Sequence, residues 1–193
     1  LKAMASKKKK PQPIPAINIF EVEDPTTHYA TEAVAGNFTV GPHVLAQCNR
    51  HLEDLEKGSE RGLTWDLAAA TRAIGYFYDV LRLNGGEFEG KPFVLEFWQA
   101  FIVGSIFGWK NEDGSRRFQT AFVETGKGSG KSPLAAGVGL YGLTSDGENR
   151  AEIYAAATKL DQAKILFRDA VAMADMSPDL DFRLKRSGSK GKE

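Results

Sequence analysis

The sequence predicts an α/β chain in which a helical segment precedes the start of a parallel-sheet core. Three observations predict it. Apolar residues recur at helical spacing between Val44 and Ile106; they alternate in Arg117–Glu124 (RFQTAFVE); and a glycine-rich turn then opens a further helical pattern. Strand, loop, helix, strand, helix is the order in which parallel strands are wound, with right-handed crossovers.

Up to about Val40 the chain is punctuated by Pro, Thr and Gly without sustained periodicity, so residues 1–40 read as a mostly irregular arm. Residues 41–110 read as a helical subdomain. Val44, Leu45, Cys48, Leu52 and Leu55 mark one helix face, stopped by Gly58. Thr64 is the expected cap of a second helix, with Asp66 favoured in its first turn by the helix dipole. Its stripe is Leu67, Ala70, Ile74, Phe77, Tyr78 and Leu81, ended by Asn84-Gly85-Gly86. After Pro92 a third helix carries Leu95, Trp98, Phe101, Ile102, Ser105 and Ile106 and is apolar almost all round, which demands deep packing. Residues 111–193 then read as the start of the sheet core. Asn111-Glu112-Asp113-Gly114 is a turn, Arg117–Glu124 a strand, and Gly126–Ser132 (GKGSGKS) a loop leading into a helix to Leu143. Glu152–Ala157 (EIYAAA) fits a buried strand, Leu160–Met176 a helix stopped by Ser177-Pro178, and Leu180–Lys185 the start of another strand.

Composition narrows the function classes. The chain has 193 residues, 42% of them hydrophobic, enough for one core plus appendages. Lys+Arg and Asp+Glu are 25 each, so any nucleic-acid surface must be local. The single Cys48 excludes an internal disulfide and a cysteine-based zinc site, and it falls on an apolar stripe as a small buried side chain does. His28, His43 and His51 are scattered, with no carboxylate or Cys pattern to complete a metal site. No run of about eighteen apolar residues offers a membrane span. Lys7–Lys10, followed by Pro11, Pro13 and Pro15, reads either as a solvated tail or as a DNA-touching arm. Lys185, Arg186, Lys190 and Lys192 form a second basic stretch; Asp175, Asp179 and Asp181 read as surface charges.

The segment GKGSGKS carries the chemistry. The terminal phosphates of a nucleotide are dense in negative charge and acceptor oxygens, and a chain holds them by wrapping backbone N–H groups around them. Gly126, Gly128, Ser129 and Gly130 allow that close approach. The helix that follows aims an N-terminus worth roughly half a positive charge at the same oxygens. Lys131 reaches the β- and γ-phosphates, and the Ser132 hydroxyl is placed to ligate Mg²⁺ held with ATP. Pro133 is tolerated in a first turn, where its missing N–H costs little. This is a P-loop of the Walker A kind, except that Thr125 stands where the pattern G-x-x-x-x-G-K-[ST] asks for Gly. Two readings stand for Lys127. It is a charge stabiliser in phosphoryl transfer, in the manner of an arginine finger, or a solvated lysine or DNA-backbone contact.

The stretch Glu87–Trp109 (EFEGKPFVLEFWQAFIVGSIFGW), then Arg116-Arg117-Phe118, GKGSGKS and Ala155–Phe167 (AAATKLDQAKILF), resembles the large terminase subunit of tailed bacteriophages. The likeness spans roughly Gly41 to Arg186. It implies the ATPase portion of a motor, of phage or prophage origin, that packages double-stranded DNA into procapsids in the bacterial host cytoplasm. It also implies a homo-oligomeric ring, with the phage portal and a small terminase subunit as partners. The likeness gives Lys127 the position of an Arg or Lys common in these loops. It matches Gln99, beside Trp98, to a residue that reads adenine; the alternative is that Trp98 is core and Gln99 an ordinary polar helix residue. The family's second acidic ATPase motif and its C-terminal nuclease, which cuts concatemers, have no counterpart before Glu193. The expectation is therefore an N-terminal piece of a longer protein, or a truncated prophage remnant, that hydrolyses ATP poorly. Two competing classes are a nucleotide-binding interaction module without turnover and a small-molecule kinase; the second lacks recognisable lid arginines.

Overall fold

The first regular helix forms where the sequence showed no periodicity. The computed structural model describes residues 18–184, and within them α1 (Pro25–Val34) corrects the expectation of irregular chain up to Val40. Its start is local chemistry. Asp24 accepts the N–H groups of Thr26 and Thr27, both at 3.0 Å, and Pro25 at the first position has no amide to lose.

A second helix, α2 (Pro42–Lys57), covers α1. Its buried side chains are Cys48, His51 and Asp54, so the inward face is more polar than the stripe from Val44 to Leu55 suggested. Val44 and Leu55 are in fact exposed. Strand β1 (Thr64–Trp65) follows, and Asp66 rather than Thr64 caps α3 (Leu67–Asp79) by accepting the Ala69 N–H at 2.9 Å. Thr64 is drawn away because it pairs across to the end of the next helix. That helix, α4 (Phe97–Gly108), runs directly into β2 (Trp109–Lys110). The two strands are antiparallel, with Thr64 opposite Lys110 and Trp65 opposite Trp109.

The helices α5 (Lys131–Thr144), α6 (Leu160–Met176) and α7 (Pro178–Arg183) complete the fold. The parallel sheet expected around the glycine-rich loop is absent among the described residues, which are mostly helical with one two-stranded antiparallel sheet. Arg117–Glu124 makes no strand, and Phe122 is 88% exposed. Glu152–Ala157 makes none either, and Tyr154 is 81% exposed. The reason is that a strand is a pairwise object. An alternating pattern supplies a face, but without a neighbour its N–H and C=O groups stay with water. The third expected strand, from Leu180, is helical because Ser177 caps it by accepting the Leu180 N–H and Pro178 takes the first position.

Helix α4 is the centre. On one side it closes a cluster of Tyr29, Ala30, Ala33, Cys48 and Phe101; on the other it joins a larger core reaching Phe77, Leu140, Met173 and Leu180. Glycines allow the approach. A Cβ on Gly104 would overlap the Thr26 hydroxyl, and one on Gly108 would lie 2.6 Å from the Trp65 ring. Burial pushes the Cys48 thiol up to about 11, so it behaves as a small inert core residue.

Beneath α1 and α2 lies a closed polar chain. Trp109 Nε1 donates to His51 Nδ1 at 3.0 Å, so His51 is neutral with its proton on Nε2. That nitrogen donates to Thr27 Oγ1 at 2.9 Å, which donates to Asp24 at 2.6 Å; Trp65 Nε1 donates to the same carboxylate oxygen at 2.9 Å. No buried side-chain polar atom among the described residues lacks a partner. Desolvation is the largest cause pulling the His51 imidazolium down to about 4, against the pull of Asp24.

Two outcomes follow from this packing. Gly104→Ala should cost about 1–3 kcal/mol in urea unfolding, since the Thr26 side chain must move from its contact with α4; an unchanged midpoint would refute the close approach. For His51 the folded value lies below the unfolded one near 6.5, so the unfolded chain binds the extra proton. This stabilisation is complete above pH 6.5 and drains away as pH falls to about 4, by roughly 3 kcal/mol. Imidazole NMR showing His51 titrating near 6.5 in the folded protein would contradict it.

Candidate functional site

The residues Gly126–Ser132 form an open turn that ends on α5. Gly128 and Gly130 have φ of +83° and +79°, values that side chains with a Cβ rarely adopt. Nothing stands within 4 Å of where a Cβ on Gly126 or Gly128 would be, so the concave backbone is unobstructed. At Gly130 only the Gln99 amide nitrogen comes near, at 3.4 Å. Gly130 is the N-cap of α5 and provides no side-chain cap, which leaves the first-turn amides of Lys131 and Ser132 pointing at the turn. Pro133, third in the helix, has no amide to orphan.

The Lys131 ammonium sits inside the bend, donating to the carbonyl oxygens of Thr125 at 2.6 Å and Gly126 at 2.8 Å. These are neutral acceptors, and ionised oxygens in the same place would bind it more strongly. Lys127 is exposed, and Ser132 is half-buried at the second position of α5.

The departure at Thr125 has a structural answer that the sequence did not disclose. Thr125 Oγ1 donates to Ser129 Oγ, which donates to the Gly126 carbonyl at 2.8 Å. Two hydroxyls thus latch the loop where a glycine would have made the turn. Ser129 therefore contributes a side chain as well as flexibility.

The structure brings the second pair of expected residues, Trp98 and Gln99, to the same place. Gln99 is buried at the start of α4, 4% exposed, and its Oε1 accepts the Glu96 N–H at 2.9 Å. Half of its amide is thus engaged in helix capping while the other half adjoins the loop at Gly130. Trp98 is half-buried: it packs against both apolar clusters and also faces a groove of about 820 Å³. The walls of this groove are α2, α4 and the segment 117–125, and Thr125 at its end makes it continuous with the loop.

Other residues at the groove had no role assigned from sequence. Asp54 receives both Arg61 and Arg117 on its two carboxylate oxygens. The Arg117 guanidinium lies over the rings of Trp109 (5.3 Å) and Phe118 (4.9 Å), and Arg50 lies over Phe118 as well (4.9 Å). Burial lowers the pKa of Arg50 and Arg117, and for Arg50 the nearby Arg117 charge adds to it; both remain cations at any ordinary pH. The only sequence signal was the Arg116-Arg117-Phe118 run itself.

Among the described residues no three His, Cys, Asp or Glu side chains gather as a metal site, and no helix is long and apolar enough to cross a membrane. Asp175, Asp179 and Asp181 are exposed. The basic stretches Lys7–Lys10 and Lys185, Arg186, Lys190 and Lys192 lie outside the described residues.

Residues 97–189, from the first residue of α4 through the loop and α6, match the family model of the terminase large subunit, ATPase domain. No curated protein and no solved structure matches the chain. Over residues 97–189 the chain is similar to the terminase large subunit ATPase domain.

Proposed function

We propose that Gly126–Ser132 is the site at which this chain binds the β- and γ-phosphates of ATP, as the ATP-binding part of a motor that packages double-stranded DNA. The observation that carries this is the loop itself. Two left-handed glycines open a backbone concavity, the uncapped N-terminus of α5 points into it, and the Lys131 ammonium is already held within it. The family match supports nucleotide use.

In this reading the amides of Gly128–Ser132 and the Lys131 ammonium replace their present acceptors with phosphate oxygens. Ser132 supplies a hydroxyl ligand to Mg²⁺, whose contribution when bound is to neutralise charge on the bridging and terminal oxygens. The adenine enters the groove beside Trp98, within reach of the Gln99 amide nitrogen. Lys127, exposed in the loop, stabilises the charge that develops on the transferred phosphoryl group. The partners in this reading are double-stranded DNA, the phage portal and a small terminase subunit, with further copies of the chain in a ring. The setting is the bacterial host cytoplasm.

A second reading, a nucleotide-binding module without turnover, uses the same loop and is separated by one measurement. Phosphate release that Lys131→Ala abolishes supports the motor; binding without release supports the module.

The two lysines should fail differently. Removing a charge-assisted contact costs about 2 kcal/mol, so Lys131→Ala should weaken ATP binding roughly thirtyfold in calorimetry; wild-type affinity in that variant would exclude the loop as the site. Lys127→Ala should leave ATP affinity within about twofold while lowering the rate of phosphate release by tenfold or more. An unaltered rate would return Lys127 to the role of a solvated loop lysine.

A further inference from the structure

We propose that the Asp54–Arg117 ion pair is a positioning device for the phosphate loop, fixing the root of the segment that carries the loop against α2 and α4. The inference deepens the ATP-binding reading above and rests on it for its functional consequence.

The segment from Phe118 to Gly128 is unusual in how it is held. Among the described residues, no hydrogen bond between main-chain groups joins it to another segment, and Lys131 Nζ reaches only the carbonyls of Thr125 and Gly126 near its far end. Its exposed side chains, Phe122 above all, provide little packing. Its course is therefore set by its two ends. At the far end, Gly130 caps α5 and abuts the Gln99 amide. At the near end, the Arg117 N–H donates to the Trp109 carbonyl at 3.0 Å, and the guanidinium is clamped between Asp54 and two aromatic rings.

The clamp contains more charge than packing requires. The Asp54 side chain is 1% exposed and the Arg117 side chain 14% exposed, so both give up most of their hydration. A buried pair of this kind adds little net stability compared with apolar residues of the same volume. What it does add is direction, because a planar guanidinium meets a carboxylate and stacks on rings in few orientations. Arg61 shares the same carboxylate but is half-exposed at 54% and lies in the turn after α2, not on the segment that carries the loop. The same acid therefore holds one arginine that leads to the loop and one that does not. That asymmetry makes the inference testable.

The experiment compares Arg117→Gln with Arg61→Gln, each of which leaves Asp54 one cationic partner. Spin labels go on Cys residues introduced by Glu53→Cys on α2 and Ala121→Cys on the segment, in a Cys48→Ala background. Pulsed electron spin resonance should show a broadened distance distribution in Arg117→Gln and the parent distribution in Arg61→Gln. ATP affinity by calorimetry, well below the unfolding temperature, should fall about tenfold in Arg117→Gln and stay within about twofold in Arg61→Gln. Arg117→Lys, which keeps charge but not the planar fork, should recover less than half of that loss on a logarithmic scale. An unchanged distance distribution in Arg117→Gln overturns the inference, as does an equal loss of affinity in both variants. If the parent protein binds no ATP while the distribution broadens only in Arg117→Gln, the anchor stands and the ATP-binding reading is the one that fails.

Discussion

The described residues are arranged around a central helix that has no polar face. Helix α4 is apolar almost throughout, and it buries Ala100, Phe101, Val103 and Phe107 between two separate clusters. A helix with no polar face must be covered on all sides. Helices α1 and α2 do this on one side, and α3, α5, α6 and α7 on the other. Gly104 and Gly108 set how close the cover comes. The covering elements then inherit their positions from α4, including those that carry the glycine-rich loop.

This constraint reaches the site from both ends of the helix. At its beginning, Glu96 and Gln99 form the cap and place the Gln99 amide against Gly130. At its end, α4 runs into Trp109, whose indole anchors His51 on one side and carries Arg117 over its ring. The loop-bearing segment thus spans the length of one buried helix. Loops that bind ligands are drawn from the less protected parts of a fold, and the segment 118–128 is such a part.

The polar groups under α2 show how a small domain affords polarity in its interior. His51, Thr27, Asp24, Trp65 and Trp109 form a chain in which each donor has an acceptor. Such networks are costly when incomplete and directional when complete. This one fixes α1, α2 and the two short strands to one another. Asp54, one turn further along α2, does the same for the chain leading to the loop.

Helix periodicity was legible in the sequence because it depends on neighbours a few residues away. The helices at α2, α3, α4, α5 and α6 and the turn at Asn111–Gly114 follow from spacing, Pro and Gly alone. So does the glycine-rich turn at Gly126–Ser132, whose glycines and lysine lie close together along the chain. Helix α1 was missed because its start depends on one capping aspartate rather than on a stripe. The strands could not be decided locally, since RFQTAFVE and EIYAAA become strands only where another chain segment satisfies their backbone. Tertiary structure alone also decided the inward turn of His51 and Asp54, the latch between Thr125 and Ser129, and the meeting of Gln99 with Gly130. Each of these joins groups whose distance along the chain says nothing about their distance in space, or whose partner is chosen by how the backbone bends.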